Sequence, residues 1–399
     1  RLIGEASSWD IPYTAEAIRF FAEFADKIGG EVAATEAGKL GLTMTEPYGV
    51  VGAIAPWNFP LVMACWKIAP AIAAGNAVVL KPSELTPFSA VRLAELAVRA
   101  GLPPGLFNVV QGDGKHVGEA ICRHPKISKI TFTGSTRTGA AIMQACADKG
   151  PRALTLELGG KSPQIVFADV PDVGRTAAIV AKAITSNAGQ VCNAGSRLIV
   201  EKTVAEQMID RLSEHFTALV PGPTWSRGTT LSPIISNPQL ERIDAIVRRA
   251  LADGASLVTG GRRAPAPQDG FYYLPTILTD VDGTMEAVRE EVFGPVLAVQ
   301  TFTEEEEAFQ MANDTAYGLA AGVHSRDLNK ALRALRRVEA GTVWINRYGR
   351  SNDYILPTGG YKRSGIGKDL GRQAYESNLR VKTALIEFDN LQTVNRSGR

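Results

Sequence analysis

The stretch Val50-Val51-Gly52-Ala53-Ile54-Ala55 is followed directly by Pro56-Trp57-Asn58-Phe59-Pro60. The first six residues form a continuous apolar run bounded by turn residues, which is typical of a central parallel strand that is buried on both faces. An apolar segment at 61–74 comes next, and we predict that it is a helix. A strand followed at once by a helix is the repeating unit of doubly wound α/β folds.

The same alternation continues toward the C-terminus. The apolar patterns predict strands at 76–80, 106–110 and 129–132, and helices at 87–100, 116–122 and 137–147. Together with the first unit, these segments predict a doubly wound parallel sheet. A helix at 11–27 and a polar pair of strands within 29–47, which we interpret as a small β arm, precede it.

A second set of strands and helices predicts a second α/β lobe. Its predicted strands are 164–167, 197–201, 319–324 and 341–345, and its predicted helices are 173–186, 204–217, 239–253, 305–313 and 328–338. The lobes are expected to meet near residues 155–165.

The domain boundaries follow from these two lobes. We expect residues 1–158 to form one domain, 159–363 to form the second, and 364–399 to return to the first. The alternating segment 379–388 reads as an exposed strand with no partner nearby in sequence, so it predicts pairing with another subunit in a homodimer or homotetramer.

Composition excludes several classes of partner. The 399 residues contain 43 Lys plus Arg and 41 Asp plus Glu, a net charge of +2, so neither nucleic acid nor an acidic membrane is expected as a partner. The apolar stretch 61–80 is interrupted by Pro70 and by Gly75-Asn76, which favours a buried helix and strand over a membrane span.

The cysteines and histidines of the sequence give no sign of disulfides or of a metal site. The four cysteines have no disulfide-like spacing, which indicates reduced thiols in a cytoplasmic protein. The four histidines are scattered without metal-ligand spacing, so no metal is expected.

One cysteine stands in an unusual context. Cys192 lies among small and amide residues in 187–197, Asn-Ala-Gly-Gln-Val-Cys-Asn-Ala-Gly-Ser-Arg, just before an apolar run. Small neighbours allow a substrate carbon to approach the sulfur closely. A lone cysteine is more often a buried structural thiol, so its importance depends on other residues.

Two further residues carry candidate chemistry. Asn58 follows a central strand, at the edge where parallel sheets bind ligands, and its amide could donate to an oxyanion; a plain turn-forming Asn is the alternative. Glu157 ends an apolar segment before two glycines, and partial desolvation there would raise its pKa as a general base requires. A carboxylate paired with Lys161 is the alternative.

Candidate cofactor contacts occur at other strand ends. Lys81 and Glu84 suit ribose hydroxyls, and the turn 134–139, Gly-Ser-Thr-Arg-Thr-Gly, can present backbone N–H groups to a phosphate. Glu291 and Phe293 offer a carboxylate for a ribose and a ring for a nicotinamide, although a solvated turn with one core aromatic is the alternative. Gly160-Lys161-Ser162 lacks the earlier glycine of a P-loop, which excludes an ATPase.

Taken in order, these segments resemble the aldehyde dehydrogenase superfamily from about residue 10 to 386. The motifs that carry the resemblance are PWNFP at 56–60, KPSE at 81–84, FTGS at 132–135, LELGGKSP at 156–163, GQVCNAGSR at 189–197, EEVFGP at 290–295 and GGYKRSGIGKDLG at 359–371. Family chains usually carry further strands and helices ahead of the position of Arg1, so we expect this sequence to be shortened there.

The resemblance implies a role for each site residue. Cys192 would be the nucleophile, Glu157 the general base and Asn58 the oxyanion donor, and the family's lysine in the helix after PWNFP falls at Lys67. The implied cofactor contacts are Ile54, Trp57, Lys81, Glu84, Gly114, Gly134, Ser135, Glu291 and Phe293. The expected substrate pocket is formed by Met63, Trp66, Val191, Asn193 and Tyr348.

The resemblance implies NAD(P)-dependent oxidation of an aldehyde to a carboxylic acid. The expected cofactor is NAD, with NADP possible, and the expected route is a thiohemiacetal and then a thioester on Cys192, which Glu157-activated water hydrolyses. A CoA-acylating aldehyde dehydrogenase and a catalytically silent, truncated scaffold protein are the alternatives.

Overall fold

The computed structural model describes residues 1–148, 150–265, 267, 270–351 and 353–388. The strands are β1 (Glu31–Ala33), β2 (Lys39–Pro47), β3 (Val50–Ile54), β4 (Ala77–Lys81), β5 (Phe107–Val109), β6 (Lys129–Thr133), β7 (Ala153–Glu157), β8 (Pro163–Val166), β9 (Arg197–Glu201), β10 (Ser256–Thr259), β11 (Thr276–Thr279), β12 (Val296–Phe302), β13 (Tyr317–Gly318), β14 (Ala320–His324), β15 (Thr342–Ile345), β16 (Tyr361–Lys362), β17 (Gly365–Ile366) and β18 (Leu379–Glu387).

Most helices follow a strand in the chain. They are α1 (Ile3–Glu5), α2 (Ile11–Ala22), α3 (Pro60–Ala73), α4 (Phe88–Arg99), α5 (Glu119–Arg123), α6 (Thr136–Ala147), α7 (Val173–Thr185), α8 (Ala205–Thr217), α9 (Asn237–Ala252), α10 (Glu286–Arg289), α11 (Glu305–Asn313), α12 (Leu328–Arg337) and α13 (Gly371–Glu376). No helix in the described part of the chain is both long enough and apolar enough to cross a membrane.

The first sheet has the strand order β17-β7-β6-β3-β4-β5, and all its pairs are parallel except β17 with β7. The apolar run that predicted a central strand is β3, which lies between β6 and β4. Gly52 is required there, because a Cβ would lie 2.6 Å from Cγ2 of Ile121. Apolar side chains pack on both faces of this sheet, as expected for a doubly wound fold.

The second sheet has the order β10-β11-β12-β9-β8-β14-β15, with β10 antiparallel and the other pairs parallel. Its middle strand β9 is fully buried over 197–200, in agreement with the apolar run after Cys192. The patterns at 256–259, 276–279 and 296–302 were not predicted as strands.

A third, small sheet has the order β1-β2-β18. The sequence predicts that the late strand pairs with another subunit, but β18 pairs with β2 of the same chain over nine residues, from Leu379 opposite Pro47 to Glu387 opposite Lys39. One edge of β18 is therefore occupied within the chain. Its other edge has no partner among the described strands, and Val381 and Leu385 are exposed on it.

One buried charged side chain connects two strands of the second sheet with a neighbouring helix. Arg197, at the start of β9, is fully buried. Its guanidinium donates to the backbone carbonyls of Lys161 at 2.9 Å, Met311 at 2.8 Å and Ala312 at 2.8 Å. It thereby joins the entry to β8 to the end of α11.

We expect Arg197→Met to destabilise the fold strongly. The substitution leaves three buried carbonyls without a donor, and each such group costs about 1–3 kcal/mol, so the free energy of unfolding should fall by at least about 3 kcal/mol. Thermal or urea unfolding measures this. The control is Arg333→Met, whose exposed ion pair with Glu305 should contribute little; equal midpoints for the two variants would contradict the assignment.

Candidate active site

The backbone before Cys192 reverses direction sharply. The 3₁₀ turn Ser186–Gly189 contains Asn187 and Ala188 with φ of 51° and 53°, which is unusual for residues with a side chain. Gly189, at φ 71°, could not carry a Cβ, because that atom would lie 2.2 Å from the carbonyl carbon of Gly294. After α7 ends, this left-handed turn redirects the chain so that Cys192 faces the residues that follow β3 of the first sheet.

Cys192 lies where two cavities meet. The larger cavity has a volume of about 1000 Å³, and its walls include Pro56–Asn58, Gly134–Arg137, Gly159, Glu291 and Phe293. The smaller cavity has a volume of about 400 Å³, and its walls include Trp9, Phe59, Met63, Trp66, Val191, Asn193, Tyr348 and Arg350. Cys192 lines both.

The thiol of Cys192 is held in its neutral form in this structure. Burial raises its pKa to about 12, and the nearby carboxyls of Glu291 and Glu157 add to the rise. The other cysteines, at 65, 122 and 146, are buried. Cys192 is therefore the described thiol with access to a cavity, and its sulfur must lose a proton before it acts as a nucleophile.

Asn58 is oriented by two hydrogen bonds. Its side-chain amide donates to the carbonyl of Gln190 at 3.0 Å, and its own carbonyl accepts from the Asn187 amide at 3.2 Å. The side-chain amide has a second N–H, and Asn58 lines the larger cavity together with Cys192. The role of Asn58 as an oxyanion donor stays a prediction, with which this placement is compatible.

Glu157 is buried and its Oε1 has no hydrogen-bond partner among the described residues. Burial raises the pKa of this carboxyl to about 8, the Asp369 carboxylate adds to the rise, and Lys67 opposes it. Lys67 and Asp369 form a buried ion pair with Nζ and Oδ2 2.6 Å apart.

The alternative of a Glu157–Lys161 pair does not hold. The Lys161 ammonium is buried with no hydrogen-bond partner in the described part of the chain, and no ion pair joins it to Glu157. Burial lowers the pKa of Lys161 to about 7.

The loop with Glu291 and Phe293 is fixed from behind by α9. Arg242 donates to the carbonyl of Glu291 at 2.8 Å and of Val292 at 2.9 Å, and Gln239 donates to that of Phe293 at 3.0 Å. Glu291 Oε1 accepts from the Gly160 N–H at 3.0 Å. Burial raises the pKa of the Glu291 carboxyl to about 7.

The structure brings together only part of the predicted cofactor set. Trp57, Gly134, Ser135, Glu291 and Phe293 all line the larger cavity, and the rings of Trp57 and Phe293 meet edge to face at 5.3 Å.

The other four predicted contacts lie outside the walls of that cavity, near the carboxyl ends of neighbouring strands. Ile54 ends β3, and Lys81 ends β4, where its ammonium lies 3.1 Å from Glu84. Gly114 starts a π-helical turn after β5.

The larger cavity contains a candidate anion site at the start of α6. Gly134 precedes the N-terminus of α6, and a Cβ there would lie 2.4 Å from Cζ of Phe132, so only glycine keeps this turn. Ser135 caps the helix by accepting from the Thr138 N–H at 3.2 Å. Free backbone N–H groups at the start of a twelve-residue helix are a ready anion site for a pyrophosphate.

The five predicted substrate residues, Met63, Trp66, Val191, Asn193 and Tyr348, all line the smaller cavity. The Tyr348 hydroxyl donates to the Asn193 carbonyl at 2.8 Å, which fixes its ring. Sequence reasoning missed Asp369 and Arg350. Asp369 lies within the GGYKRSGIGKDLG motif, so that motif was a signal for it; Arg350 lies outside every motif.

Comparison with known proteins agrees with this geometry. The sequence profile described as "Aldehyde dehydrogenase family" matches residues 1–384. The chain belongs to the aldehyde dehydrogenase family. This membership confirms the resemblance, the α/β fold class and the enzyme class that the sequence predicts.

Individual relatives support the same assignment. The NADP/NAD-dependent aldehyde dehydrogenase PuuC of Escherichia coli is 45% identical over 380 residues, which span 95% of this chain and 76% of that enzyme. The gamma-glutamyl-gamma-aminobutyraldehyde dehydrogenase of Burkholderia cenocepacia matches with a TM-score of 0.94 and 45% identity, covering 97% of this chain and 78% of that one. The NAD+ complex of a Bacillus cereus aldehyde dehydrogenase matches with a TM-score of 0.95 and 40% identity, covering 98% and 78%.

Proposed function

We propose that this protein oxidises an aldehyde to a carboxylic acid with NAD(P) as the hydride acceptor. The observation that carries the proposal is the position of Cys192 at the junction of the two cavities. A nucleophile there can hold a substrate carbon from the smaller cavity against a cofactor in the larger one. Holding the two reactants close together in this way lowers the barrier to hydride transfer.

The chain's own residues supply the acyl-transfer chemistry. The Cys192 sulfur bonds to the aldehyde carbon as the thiol proton passes to solvent water, and the second N–H of Asn58 and the Cys192 backbone N–H hold the oxyanion that forms as the carbonyl π bond opens. Ser135, Glu291 and Phe293 in the larger cavity would hold NAD, which would supply a hydride acceptor, and Cys192 would carry the acyl group as a thioester once the hydride has left the substrate carbon. Glu157 then takes a proton from water, the water oxygen bonds to the acyl carbon, and the carbon–sulfur bond breaks to release the acid.

The cofactor is NAD, with NADP accepted less well. Relatives support both, since one is named NADP/NAD-dependent and another was solved as an NAD+ complex. Glu84 favours NAD, because a carboxylate near the adenosine ribose repels a 2′-phosphate. The ammonium of Lys81, 3.1 Å from Glu84, reduces this repulsion.

Two alternatives fit less well. A CoA-acylating dehydrogenase needs no water-activating base, whereas Glu157 is buried beside the site with a raised pKa. A catalytically silent scaffold would not require Cys192 and Asn58 to line the same cavity, or the Glu157 carboxyl to lie near the Cys192 thiol.

The proposed organisation has two functional domains. Residues 1–158 would hold the cofactor, 159–363 would carry the nucleophile, and 364–388 would return to the first domain. The rest of the predicted returning segment, 389–399, lies outside the described residues. The pairing of β17 with β7 and the separate hydrophobic clusters of the two sheets support this division. A cytoplasmic location, expected from the unpaired cysteines, stays a prediction.

An assay with NAD and a panel of aldehydes, followed through NADH absorbance, tests the function. Wild type should turn over, with a higher kcat/KM for NAD than for NADP, and Cys192→Ala should not. Glu157→Gln should give a burst of about one NADH per site and then a steady rate lower by about 10²–10⁴-fold, because only hydrolysis needs the base. The control Cys65→Ala should keep its rate. Loss of the burst in Glu157→Gln would contradict the division of roles.

The rate should depend on the protonation of Glu157. Only its deprotonated form is a base, so kcat should rise with pH through about 8. Asp369→Asn removes the charge that helps to raise this pKa, so the rise should move to lower pH. The pH at half-maximal rate does not depend on how much enzyme is folded. Glu376→Gln, exposed on α13, is the control and should leave the profile unchanged; a shift to higher pH in Asp369→Asn would refute the electrostatic account.

The protein should form a homodimer or homotetramer through the free edge of β18. Val381 and Leu385 are exposed on this edge strand, and an exposed apolar edge favours pairing. Val381→Lys with Leu385→Lys should shift the mass measured by light scattering toward the monomer. A wild-type monomer, or a double variant of unchanged mass, would count against this interface.

A further inference from the structure

We propose that Arg350 binds a carboxylate at the far end of the substrate, so that the preferred substrates are aliphatic aldehydes that carry a terminal carboxylate. The inference rests on the proposed function and narrows it to one class of aldehyde. It concerns the smaller cavity, which is the one that the cofactor does not occupy.

Arg350 is placed to meet a substrate. It follows β15 in a loop, and it lines the smaller cavity together with Cys192. Only 9% of its side chain is exposed. The guanidinium is thus withdrawn from bulk solvent, and the cavity is its main open side.

The guanidinium has unused hydrogen-bonding capacity. Its five N–H groups form no hydrogen bond with any described residue, and its nearest acidic partner, Oδ2 of Asp353, lies 3.6 Å from Nη1, too far for a hydrogen bond. Its carbon lies 5.3 Å from the centroid of the Trp66 ring, a cation–π contact that leaves the N–H edges free. A buried arginine with free edges is suited to a bidentate carboxylate.

The other charges of the cavity do not compete for that role. Arg1 also lines it, but its guanidinium already donates to the Asp10 carboxylate at 2.9 and 3.1 Å. Glu5 lies 3.2 Å from Arg1 and is neutralised by it. Lys182 is exposed at the rim and adds positive charge there, which attracts an anionic substrate.

The walls between Cys192 and Arg350 select the kind of anion. They are largely apolar, with Phe59, Val62, Met63 and Val191 among them. Such walls favour a chain of methylene groups and disfavour the hydroxyls of a sugar phosphate, although a guanidinium would bind a phosphate as readily. The cavity therefore fits an aldehyde and a carboxylate joined by an aliphatic chain.

A different role for Arg350 is testable against this one. Its positive charge also opposes the rise in the pKa of the Cys192 thiol. If that were its function, removing the charge would slow the oxidation of every aldehyde alike. Recognition of a carboxylate instead predicts an effect confined to acidic substrates.

The kinetic test compares glutaric semialdehyde with its methyl ester, which has the same chain but no charge. Wild type should show a higher kcat/KM for the acid. Arg350→Gln should lower kcat/KM for the acid by about 10–100-fold, the usual loss for a charged hydrogen bond, and change that for the ester less than about threefold. Arg350→Lys keeps the positive charge but loses the paired N–H groups of the guanidinium. Its kcat/KM for the acid should lie between those of wild type and Arg350→Gln. The kcat/KM for glyceraldehyde phosphate is measured in the same variants, to test whether Arg350 recognises a phosphate in place of a carboxylate.

Arg347→Gln is the matched control. Arg347 lies on the same loop, is exposed, and donates to the Gly349 carbonyl at 3.0 Å. Its removal should leave the ratio of the two substrates unchanged. Equal losses for acid and ester in Arg350→Gln, no preference in wild type, or a larger loss for the phosphate would each overturn the proposal.

Binding provides a readout that does not need turnover. Glutarate should bind wild type more tightly than its uncharged diamide by calorimetry, and Arg350→Gln should lose about 10-fold or more of that affinity. If wild type oxidises no aldehyde yet binds glutarate through Arg350, the proposed function fails and the anion site stands. If glutarate binds both proteins equally, the anion site fails whatever the activity.

Discussion

The ion pair between Lys67 and Asp369 is the constraint on which the site depends. The two residues are 302 positions apart, both are buried, and Nζ and Oδ2 are 2.6 Å apart. Neither charge can be left alone there, because breaking a buried pair costs about 3–5 kcal/mol. The pair therefore obliges the C-terminal segment to fold back onto α3, next to Glu157.

Hydrogen bonds around Ser364 complete this closure. Its carbonyl accepts from the Leu158 N–H at 2.9 Å, and its hydroxyl donates to the Gly159 carbonyl at 2.7 Å. Gly365 then pairs with Glu157 in the first sheet, where a Cβ would lie 2.2 Å from the Leu156 carbonyl oxygen. The returning segment thus covers the end of β7 and helps to bury the Glu157 carboxyl, and burial is the largest cause of its raised pKa.

Features that depend on residues close together in the sequence could be predicted, and features that depend on contacts between distant segments could not. Strands such as β3 and helices such as α3 could be predicted because hydrophobic periodicity is local. Val191 and Asn193, which line the smaller cavity, could be picked out because they lie within a motif. The pairing of β18 with β2 could not be predicted, since it joins segments more than 300 residues apart. Arg350 was missed for the same reason: nothing in its neighbourhood in sequence shows that its guanidinium meets Trp66 across a cavity.

The carboxyls of Glu157 and Glu291 both lie near Cys192, and they differ in the hydrogen bonds that hold them in place. Burial raises the pKa of both, that of Glu157 to about 8 and that of Glu291 to about 7. Glu291 accepts from the Gly160 N–H, and its loop is fixed by α9, so it is suited to hold a ligand in place. Glu157 Oε1 has no partner among the described residues, so its oxygen is free to take a proton. Both carboxylates have an oxygen that can bind a proton, but Glu291 is held in place by the Gly160 N–H and the α9 contacts, whereas Glu157 Oε1 is not held, and this difference favours Glu157 as the base.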